Sequence, residues 1–168
     1  AALDPGNGGT GLDADAERAY TVVIGQGESS PFYERALYMH GWSLFKQTNY
    51  EDALKSFFAV LDRKLIGRDN GEALESIVTL TRADRELVED TFRVASISLS
   101  GLQGADSIPA YFKQTGRRDY EFRVYQQLGD LYFKQERIKD AADTYNAFAR
   151  RSPTHAQAPL LQVKVIEA

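Results

Sequence analysis

Between Tyr125 and Pro153 the chain reads YQQLGDLYFKQERIKDAADTYNAFARRSP, and the spacing of small and aromatic residues there narrows the fold more than any other stretch. Gly129 and Ala141 stand 12 residues apart, Tyr145 follows Ala141 by four, and Pro153 follows Gly129 by 24. Tyr125, Leu128 and Tyr132 recur at three- and four-residue steps, so a helix carries them on one face, and Ala141, Tyr145 and Phe148 do the same on the next. The polar run from Gln135 to Asp140 joins the two into a hairpin. Gly129 and Ala141 lack bulk where the helices should cross, which lets the backbones approach and Tyr145 fill the groove beside them. Pro153 cannot continue a helical ladder and ends the unit. One such hairpin cannot bury its apolar face alone, so others should stack on it.

The same spacing recurs upstream. In residues 31–67 Gly41, Ala53 and Phe57 repeat it, Leu37 and Leu44 hold the apolar positions, and Asn49 with Asp52 can cap the second helix. Ser30 is the expected N-cap of the first helix and Pro31 its first residue. Residues 13–28 read as a partial repeat: a helix from Asp13 to about Ile24 carries Ala16 and Tyr20, and its expected partner helix is missing. In its place stand residues 1–12, which hold four of the 13 glycines and read as a flexible tail. Gly41 to Ala95 is 54 residues, one 34-residue period plus an insertion of 20. Within residues 68–87, Asp69-Asn70-Gly71 signals a turn, Ala73 to Leu80 a short inserted helix, and Thr81 with Asp84 a capped start of a longer one. A degenerate repeat at 88–121 keeps Ala95, Ser107 and Tyr111 in register, tolerates Pro109 in the first turn of its second helix, and closes at Gly116. A terminal helix at 156–168 carries Leu160, Leu161, Val163, Val165 and Ile166.

The order Tyr125, Leu128, Gly129, Tyr132, Ala141, Tyr145, Pro153 resembles the tetratricopeptide repeat family. The resemblance implies an all-α, right-handed superhelix of three to four stacked antiparallel hairpins in a single domain over 13–168. It also implies a non-catalytic scaffold that binds a protein or peptide on its concave face. That face, formed by the first helix of each unit, would carry Arg35, Tyr38, Trp42, Phe45 and Lys46, then Phe92, Arg93 and Ser96, then Arg123, Gln126, Gln127, Asp130, Phe133 and Lys134. Trp42 and Phe45 have an alternative use in packing against the neighbouring repeat. His40 and Leu65 depart from the family pattern, where Leu and the closing Pro are usual. Members that clamp a C-terminal carboxylate use Asn where this chain has Trp42, Ser96 and Asp130, which argues against chaperone-tail binding. The phrases SPFYERALYMHGWSLFKQTNYEDALKSFFAVL and ARRSPTHAQAPL resemble tetratricopeptide proteins of Gram-negative envelopes. That similarity implies a periplasmic or outer-membrane-associated location, with the cytoplasm as the alternative, and a role in envelope assembly. A structural spacer within a longer solenoid is the alternative function, and uncapped solenoid ends would leave a homodimer open.

Composition is consistent with this reading and supplies no competing chemistry. An apolar fraction of 43% suits a soluble globular domain, and a net charge of −4 without a basic cluster gives no reason to expect nucleic acid. No run approaches 18 apolar residues, so direct membrane insertion is not expected. Cysteine is absent, removing disulfides and thiolate sites. His40 and His155 lie in different repeats, and no HExxH, phosphate loop or nucleophile elbow is present. Gly6, Gly8 and Gly11 match a dinucleotide-turn spacing, but no strand precedes them and no βαβ pattern follows. No catalytic residue, metal ligand or cofactor is therefore expected. His40 should sit satisfied inside its hairpin, His155 should be solvated, and Glu51-Asp52 and Glu89-Asp90 should be solvated helix faces. The start Ala-Ala-Leu-Asp, without Met or a signal-like segment, reads as a mature product or, preferably, an excised piece.

Overall fold

The computed structural model describes residues 10–27, 32–65, 80–155 and 158–167. Among these are eight α-helices, one short 3-10 turn and no strand, the all-α helical-repeat fold that the periodicity predicts. The chain divides into two compact units, Ala1–Lys64 and Leu65–Ala168. The expected Ser30-Pro31 start, the Asp69-Asn70-Gly71 turn and most of the Ala73 to Leu80 helix lie outside the described residues.

In the first unit, α1 (Thr10–Gly25) packs on α2 (Tyr33–Lys46), which forms an antiparallel hairpin with α3 (Tyr50–Leu65). The first helix begins at Thr10, inside the segment expected to be a flexible tail. One isolated glycine in a helix costs only about 1 kcal/mol, and contact with α2 offsets it. Glu17 ties α1 down: Gln47 Nε2 donates to it at 3.1 Å, and His40 Nε2 lies 3.8 Å away. Where α2 crosses α3, a Cβ at position 41 would stand 2.6 Å from Phe57 Cε1, so only glycine admits the ring. Around that crossing Leu37, Leu44, Ala53, Leu54, Phe57, Phe58 and Leu61 are buried.

The turn between α2 and α3 is a Schellman closure, with Thr48 N donating to Phe45 O at 2.9 Å and Asn49 N to Leu44 O at 2.9 Å. It places Thr48 at φ 59°, a left-handed backbone on a β-branched residue. Asn49 Oδ1 then accepts from Asp52 N at 3.3 Å, the expected cap.

The second unit opens with α4 (Arg82–Ser100), where Thr81 caps the helix by accepting from Asp84 N at 3.2 Å, as the sequence predicts. A 3-10 turn (Gly104–Asp106) leads to α5 (Ser107–Thr115), a helix of only 9 residues that ends at Gly116, φ 89°. Pro109 sits in its first turn. Ala95 is buried as the small residue of this degenerate hairpin, while Phe92, Phe112 and Tyr120 form its aromatic core.

The hairpin of α6 (Glu121–Lys134) and α7 (Ile138–Arg151) follows, with α4 packed on α6 and α8 (Ala158–Glu167) packed on α7. Tyr125, Leu128, Tyr132, Ala141, Tyr145 and Phe148 are all buried, the two stripes expected. A Cβ at 129 would collide with the Tyr145 ring, repeating the Gly41–Phe57 crossing. Its turn repeats too: Glu136 has φ 59°, with Glu136 N bonded to Phe133 O and Arg137 N to Tyr132 O. The linker is shorter than the expected Gln135 to Asp140, because α7 already begins at Ile138. On α8, Ala158 and Leu161 are buried, whereas Leu160, Val163 and Ile166 are exposed.

Candidate functional site

The first helix of each hairpin has its core stripe fixed by the glycine–aromatic crossing, and this decides what remains outside. On α2, Arg35 is exposed, while Tyr38, Trp42, Phe45 and Lys46 are half-buried. The three aromatics form a run along the helix: Tyr38 to Trp42 at 6.4 Å and Trp42 to Phe45 at 5.3 Å, each edge to face. Trp42 also meets Phe57 at 6.4 Å, and Phe45 meets Tyr50 at 5.5 Å. These rings are thus partly engaged within their own hairpin, and each keeps some exposed surface.

On α4 the placement differs from the expected binding face. Phe92 is only 1% exposed, packed on Tyr120 at 6.0 Å and covered by the Arg123 guanidinium at 5.7 Å, so it is a core residue. Ser96 is buried and returns its hydroxyl to Phe92 O at 2.8 Å. Arg93 is exposed and paired with Asp90 at 2.6 Å. The helix turns Phe92 and Ser96 inward, while Arg93 stays outside.

Along α6, Arg123 is largely covered, lies 3.6 Å from Glu89, and donates through Nη1 to Gln126 Oε1 at 3.0 Å. Its buried Nε has no hydrogen-bond partner among the described residues. Gln126 and Gln127 are half-exposed, and Phe133 and Lys134 are exposed. Asp130 is shared inward: Tyr145 Oη donates to it at 2.5 Å and Lys164 Nζ at 2.9 Å. Burial first, and then the bond to Asp130, push the Tyr145 hydroxyl well above its ordinary range, so it stays a neutral donor at any physiological pH.

Both histidines make contacts within their own hairpins. His40 Nδ1 lies 2.8 Å from Ser56 Oγ, and burial holds its pKa below the ordinary value against the opposing pull of Glu17 and Asp52. The serine–histidine–glutamate order is that of a nucleophile relay, but Ser56 is buried and its hydroxyl faces the helix interface rather than solvent. His155, expected to be solvated, stacks on Phe122 at 5.8 Å and meets Phe148 edge-on at 5.2 Å, because Pro153 turns the chain back over these rings. Among the described residues no cluster of His, Asp and Glu could hold a metal, and no helix is long and apolar enough to cross a membrane.

One constellation escaped the sequence reading. Glu121, in the first turn of α6, is 2% exposed and accepts from Arg151 Nε at 2.8 Å and from Arg118 N at 3.3 Å, with Arg117 Nε at 3.5 Å. Beside it burial pushes the Tyr125 hydroxyl up to about 12, and that hydroxyl has no hydrogen-bond partner among the described residues. Arg117, Arg118 and Arg151 are far apart in sequence or hidden in a loop, so no local pattern announces their meeting. The available signal was the recurrence of an acid early in the first helix and an arginine late in the second, since Glu34 and Arg63 pair at 3.1 Å in the other hairpin.

Comparison with curated proteins finds no match, and comparison with solved structures finds none. Residues 35–63 and 123–155, which span the α2–α3 and α6–α7 hairpins, match the tetratricopeptide repeat.

Proposed function

We propose that the chain is a non-catalytic scaffold for a protein or peptide partner, working in a bacterial envelope assembly in the periplasm or at the outer membrane. Tetratricopeptide repeats generally mediate protein–protein interaction, and two hairpins here match that repeat. The observation that carries the reading is the outer row of α6. Its inner stripe is locked by the Gly129–Tyr145 crossing, while Gln126, Gln127, Phe133 and Lys134 face outward, Phe133 with 48% of its surface exposed. A large exposed aromatic among amides and a cation is the kind of anchor that interface hot spots use. Arg35 and the exposed edges of Tyr38, Trp42 and Phe45 form the corresponding row on α2. Trp42 and Arg123 also support their own hairpins, so Phe133 and Lys134 are the cleaner positions to alter. The envelope assignment rests on the likeness of the residue 30–61 and 149–160 phrasing to envelope proteins.

The test is capture from separate envelope and cytosolic extracts of a Gram-negative bacterium. The wild-type chain is expected to retain a protein from the envelope extract, and Phe133→Ser with Lys134→Glu should lose it with helicity unchanged. Equal capture by both would remove this row from the interface. Capture from the cytosolic extract alone would overturn the envelope role.

A further inference from the structure

We propose that α1 is a strap that swings off α2 as a unit while the α2–α3 hairpin stays folded, with Glu17 as the clasp that sets how often it opens. Among the described side chains of α1 none is buried, and Val22 keeps 63% of its surface exposed. Each of the other seven α-helices buries at least two of its described residues, even α5 with Ile108 and Phe112 and α8 with Ala158 and Leu161. Burial of an amphipathic face is what mainly holds a helix in place, and α1 has the least of it.

What holds α1 is polar instead. Glu17 reaches two residues of α2: Gln47 Nε2 donates to its Oε2 at 3.1 Å, and His40 Nε2 lies 3.8 Å from its Oε1. Both of these partners are anchored on the hairpin. Gln47 Nε2 also donates to Ser43 O at 3.0 Å, and His40 Nδ1 lies 2.8 Å from Ser56 Oγ of α3. By contrast, the bonds of Thr21 and Arg18 stay inside α1, to Glu17 O and to Asp15, and travel with the helix when it opens.

Ala36, His40, Ser43 and Gln47 recur at helical steps, so they form one stripe of α2, and the Glu17 contacts place that stripe beneath α1. Ala36 and Ser43 are buried there. The stripe is small and polar, without a large aliphatic side chain, so uncovering it forfeits little apolar contact. Tyr38, Trp42 and Phe45 lie on the opposite face of the helix by the same periodicity. The scaffold reading therefore stands or falls separately.

Hydrogen exchange of the full chain, followed by mass spectrometry, reads the strap directly. Amides of α1 are expected to exchange at least about tenfold faster than those of α3, because the strap opens while α3 stays folded. Glu17→Ala keeps a good helix former at that position and should speed α1 by about a further tenfold, the worth of one hydrogen bond to a charged group, with α3 unchanged. Gln47→Ala should speed α1 from the other side of the clasp, and adding it to Glu17→Ala should change nothing more. Exchange of α1 and α3 at one common rate, an α1 rate that Glu17→Ala leaves unchanged, equal acceleration of both helices, or fully additive effects of the two substitutions would overturn the proposal. The wild-type comparison needs no substitution, so it remains readable even where a variant folds poorly.

Discussion

The α2–α3 and α6–α7 hairpins share one backbone solution and fill it with different chemistry. Both cross at a glycine that faces an aromatic ring, Gly41 with Phe57 and Gly129 with Tyr145, and both turn through a non-glycine residue at φ 59° seven positions later. The residue after the glycine then matches the ring: Trp42 covers Phe57 edge-on, whereas Asp130 accepts the Tyr145 hydroxyl and also holds Lys164 of α8. The open ends differ in depth. Glu34 is 30% exposed where it meets Arg63, but the side chain of Glu121 is 3% exposed beneath Arg151. Backbone approach is therefore the fixed requirement of this repeat, while the polar or apolar character of its neighbours is free to vary in pairs.

The largest effect that sharpens the comparison should come from the closures. Glu121→Gln leaves Arg151 without its buried counter-charge and is expected to cost about 3 kcal/mol, while Glu34→Gln, whose half-exposed carboxylate also holds the buried Lys64, should cost less, about 1 to 2 kcal/mol, both read by urea unfolding. Comparable losses would mean that the depth of burial does not set the worth of the pair.

Exchanging the rings comes next. Phe57→Tyr places a hydroxyl against Trp42, which has no acceptor to offer, and should cost about 1 to 3 kcal/mol; Tyr145→Phe gives up a single bond and should cost about 1 kcal/mol. A neutral Phe57→Tyr would break the matched-pair account. In the turn, Thr48→Gly relieves a left-handed β-branched residue and should stabilise by about 0.5 to 1 kcal/mol, visible as a higher melting midpoint. A lower midpoint would place that residue in another conformation.

The smallest effect is pH dependence. Burial holds His40 below 6.5 in the folded state, so the unfolded chain takes up the proton first. Stability is complete above pH 6.5 and is lost as pH falls through that value toward the folded pKa. His40→Gln should flatten this slope in unfolding curves taken from pH 8 to 5, and an unchanged slope would assign it to other groups.

Much of the fold was legible because one steric demand recurs at a readable spacing. Gly41, Ala53 and Phe57 repeat Gly129, Ala141 and Tyr145, and the Thr81 cap has a local signature. What stayed hidden depends on contacts between distant residues. Nothing near Thr48 or Glu136 marks a left-handed turn, since the Schellman bonds belong to backbone atoms rather than to a glycine. Phe92 reads as an outward residue by spacing, yet α6 and Tyr120 cover it. His155 follows a proline in a polar loop, and only the fold shows that the loop returns over Phe122. The arginine cluster around Glu121 has no local signature for the same reason, as Glu121 and Arg151 are 30 residues apart, and its one signal is the recurrence of the Glu34–Arg63 pair in the other hairpin.

The close crossing is the central claim, and a thermal-unfolding cycle on Gly129→Ala and Tyr145→Ala tests it most directly. In the wild-type background a methyl at 129 strikes the ring, so Gly129→Ala should destabilise by about 1 to 3 kcal/mol. With the ring removed by Tyr145→Ala, itself costing about 3 to 5 kcal/mol, the same substitution should stabilise by up to about 1 kcal/mol through helix propensity. That reversal of sign is the predicted result. An effect of the same sign and size in both backgrounds would contradict the crossing, because position 129 would then have no ring against it.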